Sequence, residues 1–170
     1  FLKSGNLGEV ALHEVYVDLD VVAPVRGEEE SAKVWGLRLS RGEGDSRTPL
    51  LEALAAPEAA RVVLLGDPGS GKTTFVDYLT HRLANAVAQK RPDAALPESL
   101  RALWPVRLVL REVATFLPVD AACGTAAMLW DALTADVKTR LGAAMAAKLT
   151  PWFLARLLRQ GGLFLLDGLD

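Results

Sequence analysis

The sequence has little of several features that mark specialised classes of protein. Among its 170 residues there is a single cysteine, Cys123, so the chain cannot form an internal disulfide, which suits a reducing cytosol. The net charge is only −2, which argues against a basic nucleic-acid-binding domain. No apolar run approaches the roughly 18 residues that a membrane span needs. Because 51% of the residues are apolar, we expect a globular cytoplasmic domain with a substantial core and no direct contact with membrane or nucleic acid.

Residues that commonly bind transition metals are also scarce. The two histidines, His13 and His81, have no metal-like spacing to each other or to Cys123, and they are interpreted as surface or strand-edge residues. Cys123 lies among small residues and is interpreted as a buried bystander rather than a nucleophile. The four tryptophans are scattered and are interpreted as packing residues, not as a platform on which bases stack.

One motif dominates what the sequence does contain. Residues 66–73 match the phosphate-binding loop G-x-x-x-x-G-K-[ST] in full. An apolar run at 62–65 precedes the motif and a helical pattern follows it, which is the strand–loop–helix context that this loop requires. Glycine lets the backbone wrap tightly, so that amides and the positive end of the helix point at the phosphates.

The motif predicts a role for each of its residues. Lys72 would reach the β- and γ-phosphates, and the hydroxyl of Thr73 would ligate a magnesium ion. The expected ligands are therefore ATP and Mg²⁺. The predicted nucleotide-binding residues are Gly66, Asp67, Pro68, Gly69, Ser70, Gly71, Lys72, Thr73 and Thr74.

A second motif lies near the end of the chain. Residues 163–167 are an apolar run that ends in Asp167, which is the Walker B form, and this carboxylate would hold the magnesium ion together with Thr73. Any buried strand can end in an acid, but downstream of a complete phosphate loop the pattern favours a metal ligand. Gly168 follows Asp167, and a second acid, Asp170, comes three residues after it.

These residues resemble a known family. The stretches 66–75 and 165–170 are similar to the NACHT branch of the STAND P-loop ATPases, whose Walker B commonly reads apolar strand, Asp, small residue, apolar residue, Asp, Glu. The chain matches this pattern up to Asp170, and the position of the final Glu lies beyond it. Residues 15–19, Val-Tyr-Val-Asp-Leu, resemble a short strand often found before the phosphate loop in that family. Residues 105–112 resemble its second core strand. The resemblance covers the chain from about residue 12 onward.

The resemblance implies a function. NACHT proteins are signalling switches that bind ATP, hydrolyse it slowly and oligomerise. The resemblance therefore implies an ATPase whose NTPase domain self-associates. It also implies a larger protein that has effector and sensor domains outside this chain. It also implies that Asp170 positions or activates the attacking water, since this water must lose a proton during hydrolysis.

Alternating strands and helices predict the fold class: α/β, a three-layer P-loop NTPase fold with a parallel sheet and helices on both faces. The ligand should lie at the carboxyl ends of the strands, where both motifs fall. We expect the sheet to be incomplete because the chain stops at Walker B.

Residues 1–47 are expected to form a β-rich segment and a loop, and residues 48–170 are expected to form the N-terminal half of a NACHT-like domain. Predicted core strands are 61–65, 105–111 and 163–167, and predicted helices are 72–89, 125–147 and one that starts at Thr150-Pro151.

The N-terminal part carries finer expectations. A strand is expected at 14–22, and a loop at 24–47 with a short edge strand at 35–39. Thr48-Pro49 is typical of a helix cap followed by proline at the first helical position, which predicts a short helix to about Ala56.

Other functions stay open on the sequence alone. A GTPase usually has glycine where this chain has Asp170, and its Asn-Lys-x-Asp motif would lie beyond the end of the chain. A small-molecule kinase would need an acceptor pocket that nothing marks, and a nucleotide-bound scaffold would need no turnover. Arg107 and Arg111 fall on one face of a predicted strand, where a contact with phosphate is a further hypothesis.

Overall fold

The computed structural model describes residues 19–26, 35–39, 47–56, 61–118 and 123–168. Most of the predicted first strand, residues 14–18, lies outside these ranges, as do His13 and Asp170. The elements below are numbered along the described chain.

Four short strands form the first sheet, in the order β3-β1-β2-β4. β1 pairs antiparallel with β2 and β3, and β2 pairs parallel with β4. Two predictions are wrong here. A loop was predicted to begin at residue 24, but β1 continues to Arg26. β2 was predicted to be an edge strand, but it has a partner strand on each side. These pairings join distant residues, which local composition does not reveal. The strands are β1 Asp20–Arg26, β2 Trp35–Leu39, β3 Arg47–Pro49 and β4 Val62–Leu65.

A short helix follows this sheet without the predicted cap. Helix α1 spans Leu50–Leu54, and Thr48 belongs to β3. Pro49 stands at the N-cap position and makes no side-chain cap. The backbone N–H of Leu50 instead donates to the carbonyl of Leu19 at 2.7 Å. The carbonyl of Leu19, just before β1, therefore accepts the backbone N–H that the Thr48 hydroxyl was expected to accept.

Helix α2 spans Lys72–Gln89, as the sequence predicts. Helical spacing predicts one apolar stripe along it, formed by Phe75, Leu79, Leu83 and Val87; the first three are at most 3% exposed and Val87 is half-buried. Arg82, in the second half of α2, donates to Asp93 in the segment after the helix at 2.6 Å, and this hydrogen bond raises the pKa of Arg82. Helix α3, Glu98–Arg101, follows Pro97 and was not predicted from the sequence.

The second sheet has two parallel strands, β5 Trp104–Val109 and β6 Gly162–Asp167. The chain turns helical at Leu110 and forms α4, Leu110–Ala114, so the predicted strand end at residue 111 is wrong. Arg111 therefore lies on a helix and is exposed, and it does not share a strand face with Arg107.

Two longer helices connect these strands. Helix α5 spans Ala126–Leu141, and the hydroxyl of Thr125 caps it by accepting the N–H of Met128 at 3.3 Å. Helix α6 spans Ala143–Gln160, with Gly142 between the two helices. The predicted single helix 125–147 is thus wrong, and so is the predicted helix start at Thr150-Pro151.

Pro151 lies inside α6 rather than at its beginning. Proline removes a helical hydrogen bond and disfavours helical backbone in the residue before it, so some other interaction must keep the helix continuous. Beyond the proline, Phe153, Leu154 and Leu157 all pack into the hydrophobic cluster of the second sheet and its helices. Tertiary packing therefore overrides the local preference. The cluster's buried members are Val106, Leu108, Val113, Ala132, Leu133 and Leu157.

Replacement of Pro151 by alanine is expected to raise the free energy of unfolding by up to about 3 kcal/mol, because alanine restores the missing N–H and favours the helix. Urea denaturation followed by circular dichroism would measure this change. A lower stability of Pro151→Ala would mean that the proline fits the native backbone better than the helical geometry suggests.

The chain divides into two compact units, Phe1–Arg82 with Asp93–Leu100, and Leu83–Pro92 with Arg101–Asp170. The first contains the four-stranded sheet and the second contains β5 and β6, so the expected three-layer fold with one parallel sheet stays a prediction. Cys123 is exposed, which corrects its interpretation as buried, and His81 is exposed as expected. Within the described ranges, no helix is both long and apolar enough to cross a membrane.

Candidate nucleotide-binding site

The phosphate-loop motif lies between β4 and α2, so its predicted strand–loop–helix context is confirmed. Inside the loop the N–H of Ser70 donates to the carbonyl of Asp67 at 3.0 Å, which closes a tight turn. The N–H of Phe75 donates to the carbonyl of Gly71 at 2.8 Å, which is the first helical bond of α2. The loop is therefore short and joined directly to a long helix.

Two glycines give the loop its curvature. Gly69 has φ of +72° and Gly71 has φ of +96°, a region that side-chain-bearing residues rarely adopt. A Cβ at Gly71 would lie 3.5 Å from Leu19 Cδ1, an ordinary contact, and a Cβ at Gly69 would meet nothing within 4 Å. The glycines are thus required by the backbone conformation and not by lack of space.

The side chain of Lys72 folds back over the start of the loop. Its ammonium group donates to the carbonyl oxygen of Gly66 at 2.6 Å and to that of Asp67 at 3.2 Å. Both acceptors belong to the loop itself, so these two hydrogen bonds hold the ammonium group at the loop. An anion bound in the loop would meet this charge directly.

The first turn of α2 completes the cationic character of the loop. This 18-residue helix has no acidic residue in its first turn, so its positive end is not neutralised there. Thr73 and Thr74 are exposed in that turn, and so are Asp67, Pro68 and Gly69 before it. The hydroxyl of Ser70 is buried and has no hydrogen-bond partner among the described residues. Exposed hydroxyls and an unneutralised helix end together suit a phosphate chain.

Asp167 is the last residue of β6, where the sequence places the end of a strand. Arg107 Nη2 donates to Asp167 Oδ2 at 3.0 Å, and the two side chains are 30% and 13% exposed. In the parallel register Arg107 lies opposite Leu165, and Leu165 and Asp167 share a face because side chains alternate along a strand. The arginine therefore reaches the aspartate diagonally across the sheet.

Sequence reasoning considered Arg107 only as a possible phosphate contact and missed it as the partner of Asp167. The signal was present: once residues 105–111 and 163–167 are taken as neighbouring parallel strands, an arginine and an aspartate fall on one face. The choice of neighbours, however, is a tertiary fact that neither strand encodes by itself.

The structure groups the predicted residues in two sets. The nine residues from Gly66 to Thr74 lie together in one loop and one helical turn. Asp167 belongs to the other unit, so the meeting of the two motifs at one site stays a prediction, and Asp170 lies outside the described residues.

The donor types fit magnesium. A hydroxyl at Thr73 and a carboxylate at Asp167 are the oxygen ligands that Mg²⁺ prefers, and this ion usually takes its remaining ligands from phosphate and water. In the described ranges there is no cluster of three His, Cys, Asp or Glu side chains, so no site made of protein ligands alone is indicated there. A cation at Asp167 would share that carboxylate with Arg107.

Comparison of the chain with protein-family models, with curated proteins and with solved structures yields no match. The function is therefore inferred from the residues and their geometry.

Proposed function

We propose that this chain binds ATP with Mg²⁺, hydrolyses it slowly and acts as the nucleotide-dependent switch of a larger signalling protein. The observation that carries the proposal is the conformation of residues 66–73. Its two glycines are in the left-handed region, and the ammonium of Lys72 lies 2.6 Å from the carbonyl of Gly66.

Three physical features of the loop support a polyphosphate ligand. The tight backbone turn brings consecutive amides to one place, where they can donate to phosphate oxygens. The positive end of α2 and the charge of Lys72 add electrostatic attraction in the same place. A triphosphate gains from all three features, whereas a neutral ligand would gain mainly from the amides and a cation would be repelled by the charge of Lys72.

The metal would supply charge neutralisation between the β- and γ-phosphates. Thr73 and Asp167 are the residues that would hold it. Asp167 is only 13% exposed and is paired with Arg107, so the guanidinium holds its carboxylate in one orientation at the end of β6. The role of Asp170 in positioning water, and self-association through the NTPase domain, follow from the NACHT resemblance.

Isothermal titration of the chain with Mg-ATP and Mg-GTP tests the proposal. Saturable Mg-ATP binding that is tighter than Mg-GTP binding is expected. Binding of neither nucleotide would refute the phosphate-site assignment, and tighter binding of GTP would favour the GTPase alternative.

Replacement of Asp167 by asparagine is expected to weaken Mg-ATP binding while leaving metal-free ATP binding nearly unchanged, because the substitution removes a charged metal ligand. A lost interaction with a charged group is worth about 1.5–3 kcal/mol, which corresponds to about 10- to 150-fold in affinity. The measurement is paired titration with and without magnesium. Asp131→Asn, an exposed aspartate on α5, is the matched control. Equal losses with and without metal would remove Asp167 from the metal site.

Replacement of Asp170 by asparagine should affect ATP hydrolysis and leave Mg-ATP binding unchanged. If this acid acts on the attacking water, the variant keeps its Mg-ATP affinity and loses hydrolysis in the full-length protein. A single-turnover assay measures this directly, and normal hydrolysis would exclude Asp170 from the mechanism.

A further inference from the structure

A second candidate site lies in the unit that contains β5 and β6. A cavity of about 600 Å³ is formed by residues at the end of α2, the start of β5 and one side of α6. All of its lining residues belong to this unit. Its volume falls within the range of small-molecule sites, roughly 300–1,000 Å³.

The lining of this cavity is cationic. Four of its side chains are Lys90, Arg91, Arg101 and Arg156, and none of its residues is acidic. The described part of the unit has ten lysines and arginines but only four carboxylates. Three of these carboxylates face other arginines, since Glu112 and Asp136 contact Arg140, and Asp167 contacts Arg107. With four cationic side chains and no acidic one in its lining, the cavity favours an anionic ligand.

Two tryptophans give the cavity an aromatic wall. The rings of Trp104 and Trp152 meet edge to face, with centroids 5.4 Å apart. Trp104 is fixed by a hydrogen bond from its Nε1–H to Gln160 Oε1 at 2.9 Å and by the guanidinium of Arg156, 5.4 Å from the ring centroid. Trp152 packs against Trp104 with one part of its ring and is 54% exposed, so the rest of the ring faces solvent. An exposed indole beside a fixed one is suited to stacking against a flat ring.

The backbone at Lys90 supplies an independent observation. Helix α2 ends in a Schellman turn: the N–H of Lys90 donates to Val87 O at 3.2 Å, and the N–H of Arg91 donates to Ala86 O at 3.0 Å. The residue at this position takes positive φ and is usually glycine, yet here it is Lys90 with φ of +52°. A lysine in this conformation is strained, and the strain places a cation beside the cavity.

We propose that this cavity binds a small anion that carries a flat aromatic ring, with a nucleoside monophosphate as the simplest representative. The phosphate would contact the cationic side chains, and the ring would stack on Trp152. This site is distinct from the phosphate loop, and the proposal does not depend on what the loop binds.

Titration with AMP tests the proposal, carried out on the Lys72→Ala chain without magnesium so that the phosphate loop contributes little. Calorimetry and tryptophan fluorescence should both report binding with a Kd of about 1 mM or tighter. Inorganic phosphate alone and adenosine alone should each bind at least about 10-fold more weakly, because each has only one of the two recognised groups. Absence of AMP binding, or equal binding of AMP and either part, would overturn the proposed ligand class.

The variant Lys90→Gly separates binding from folding. Glycine relieves the backbone strain, so the melting temperature should stay the same or rise, while AMP affinity should fall by about 10-fold through the loss of one charge. Trp152→Ala should lower the affinity and reduce the fluorescence change, since Trp104 remains in the cavity wall, and Lys148→Gly, an exposed lysine of α6, is the control for affinity. Unchanged AMP binding in both Lys90→Gly and Trp152→Ala would refute the site.

Discussion

Replacement of Lys72 by alanine is expected to weaken ATP binding by about 10- to 150-fold. The ammonium group is held at the loop by the carbonyls of Gly66 and Asp67, where a bound phosphate would take up its charge. Loss of a hydrogen bond to a charged group is worth about 1.5–3 kcal/mol, which gives this range. Calorimetric titration with Mg-ATP measures the effect.

The control for this substitution is Lys148→Ala, which removes an exposed lysine from α6. Both variants should keep the secondary structure of the parent chain, because the two hydrogen bonds of Lys72 are partly solvated. The same ATP affinity in Lys72→Ala and the unmodified chain would mean that residues 66–73 are not the phosphate site.

Replacement of Leu79 by alanine is expected to lower the free energy of unfolding by about 2–5 kcal/mol. Leu79 is 0% exposed and lies in α2, the helix whose first turn forms the end of the phosphate loop. The substitution removes buried methyl groups and leaves a cavity that the packed surroundings fill only in part. Urea denaturation followed by circular dichroism gives the value.

Leu158→Ala is the matched control, because this leucine of α6 is 79% exposed. Its effect should stay within about 0.5 kcal/mol, as for most surface substitutions. Comparable losses for the two leucines would show that the side of α2 that carries Leu79 is not part of a packed core.

The phosphate loop and α2 could be predicted because their signals are local. Glycine at 69 and 71 allows the backbone to turn, and the apolar residues that follow repeat with helical spacing. Adjacent residues therefore determine both the loop and the helix. Helix α2 accordingly begins and ends where the sequence predicts.

The helix boundaries between residues 125 and 160 could not be predicted in this way. Pro151 has the features of a helix start, yet α6 continues through it because Phe153 and Leu157 pack into the core. Gly142, which was not predicted as a boundary, separates the two helices instead, and its φ of +79° ends α5 locally. Tertiary contacts therefore decide against the local preference at Pro151, whereas at Gly142 the helix end is a local feature.

The pairing of residues that are distant in sequence also could not be predicted. β2 pairs with β1 and β4, and Arg107 contacts Asp167, only because of how the strands are ordered. The positive φ of Lys90 could not be predicted either, because no neighbouring residue indicates that this lysine takes the position after α2 that glycine usually occupies.

Hydrogen–deuterium exchange with and without a non-hydrolysable ATP analogue and magnesium tests the central claim most directly, because it locates the ligand on the chain. We expect the analogue to slow exchange most strongly at the amides of residues 66–74. Unchanged exchange in these residues at a saturating concentration of the analogue would contradict the assignment of this loop as the nucleotide site.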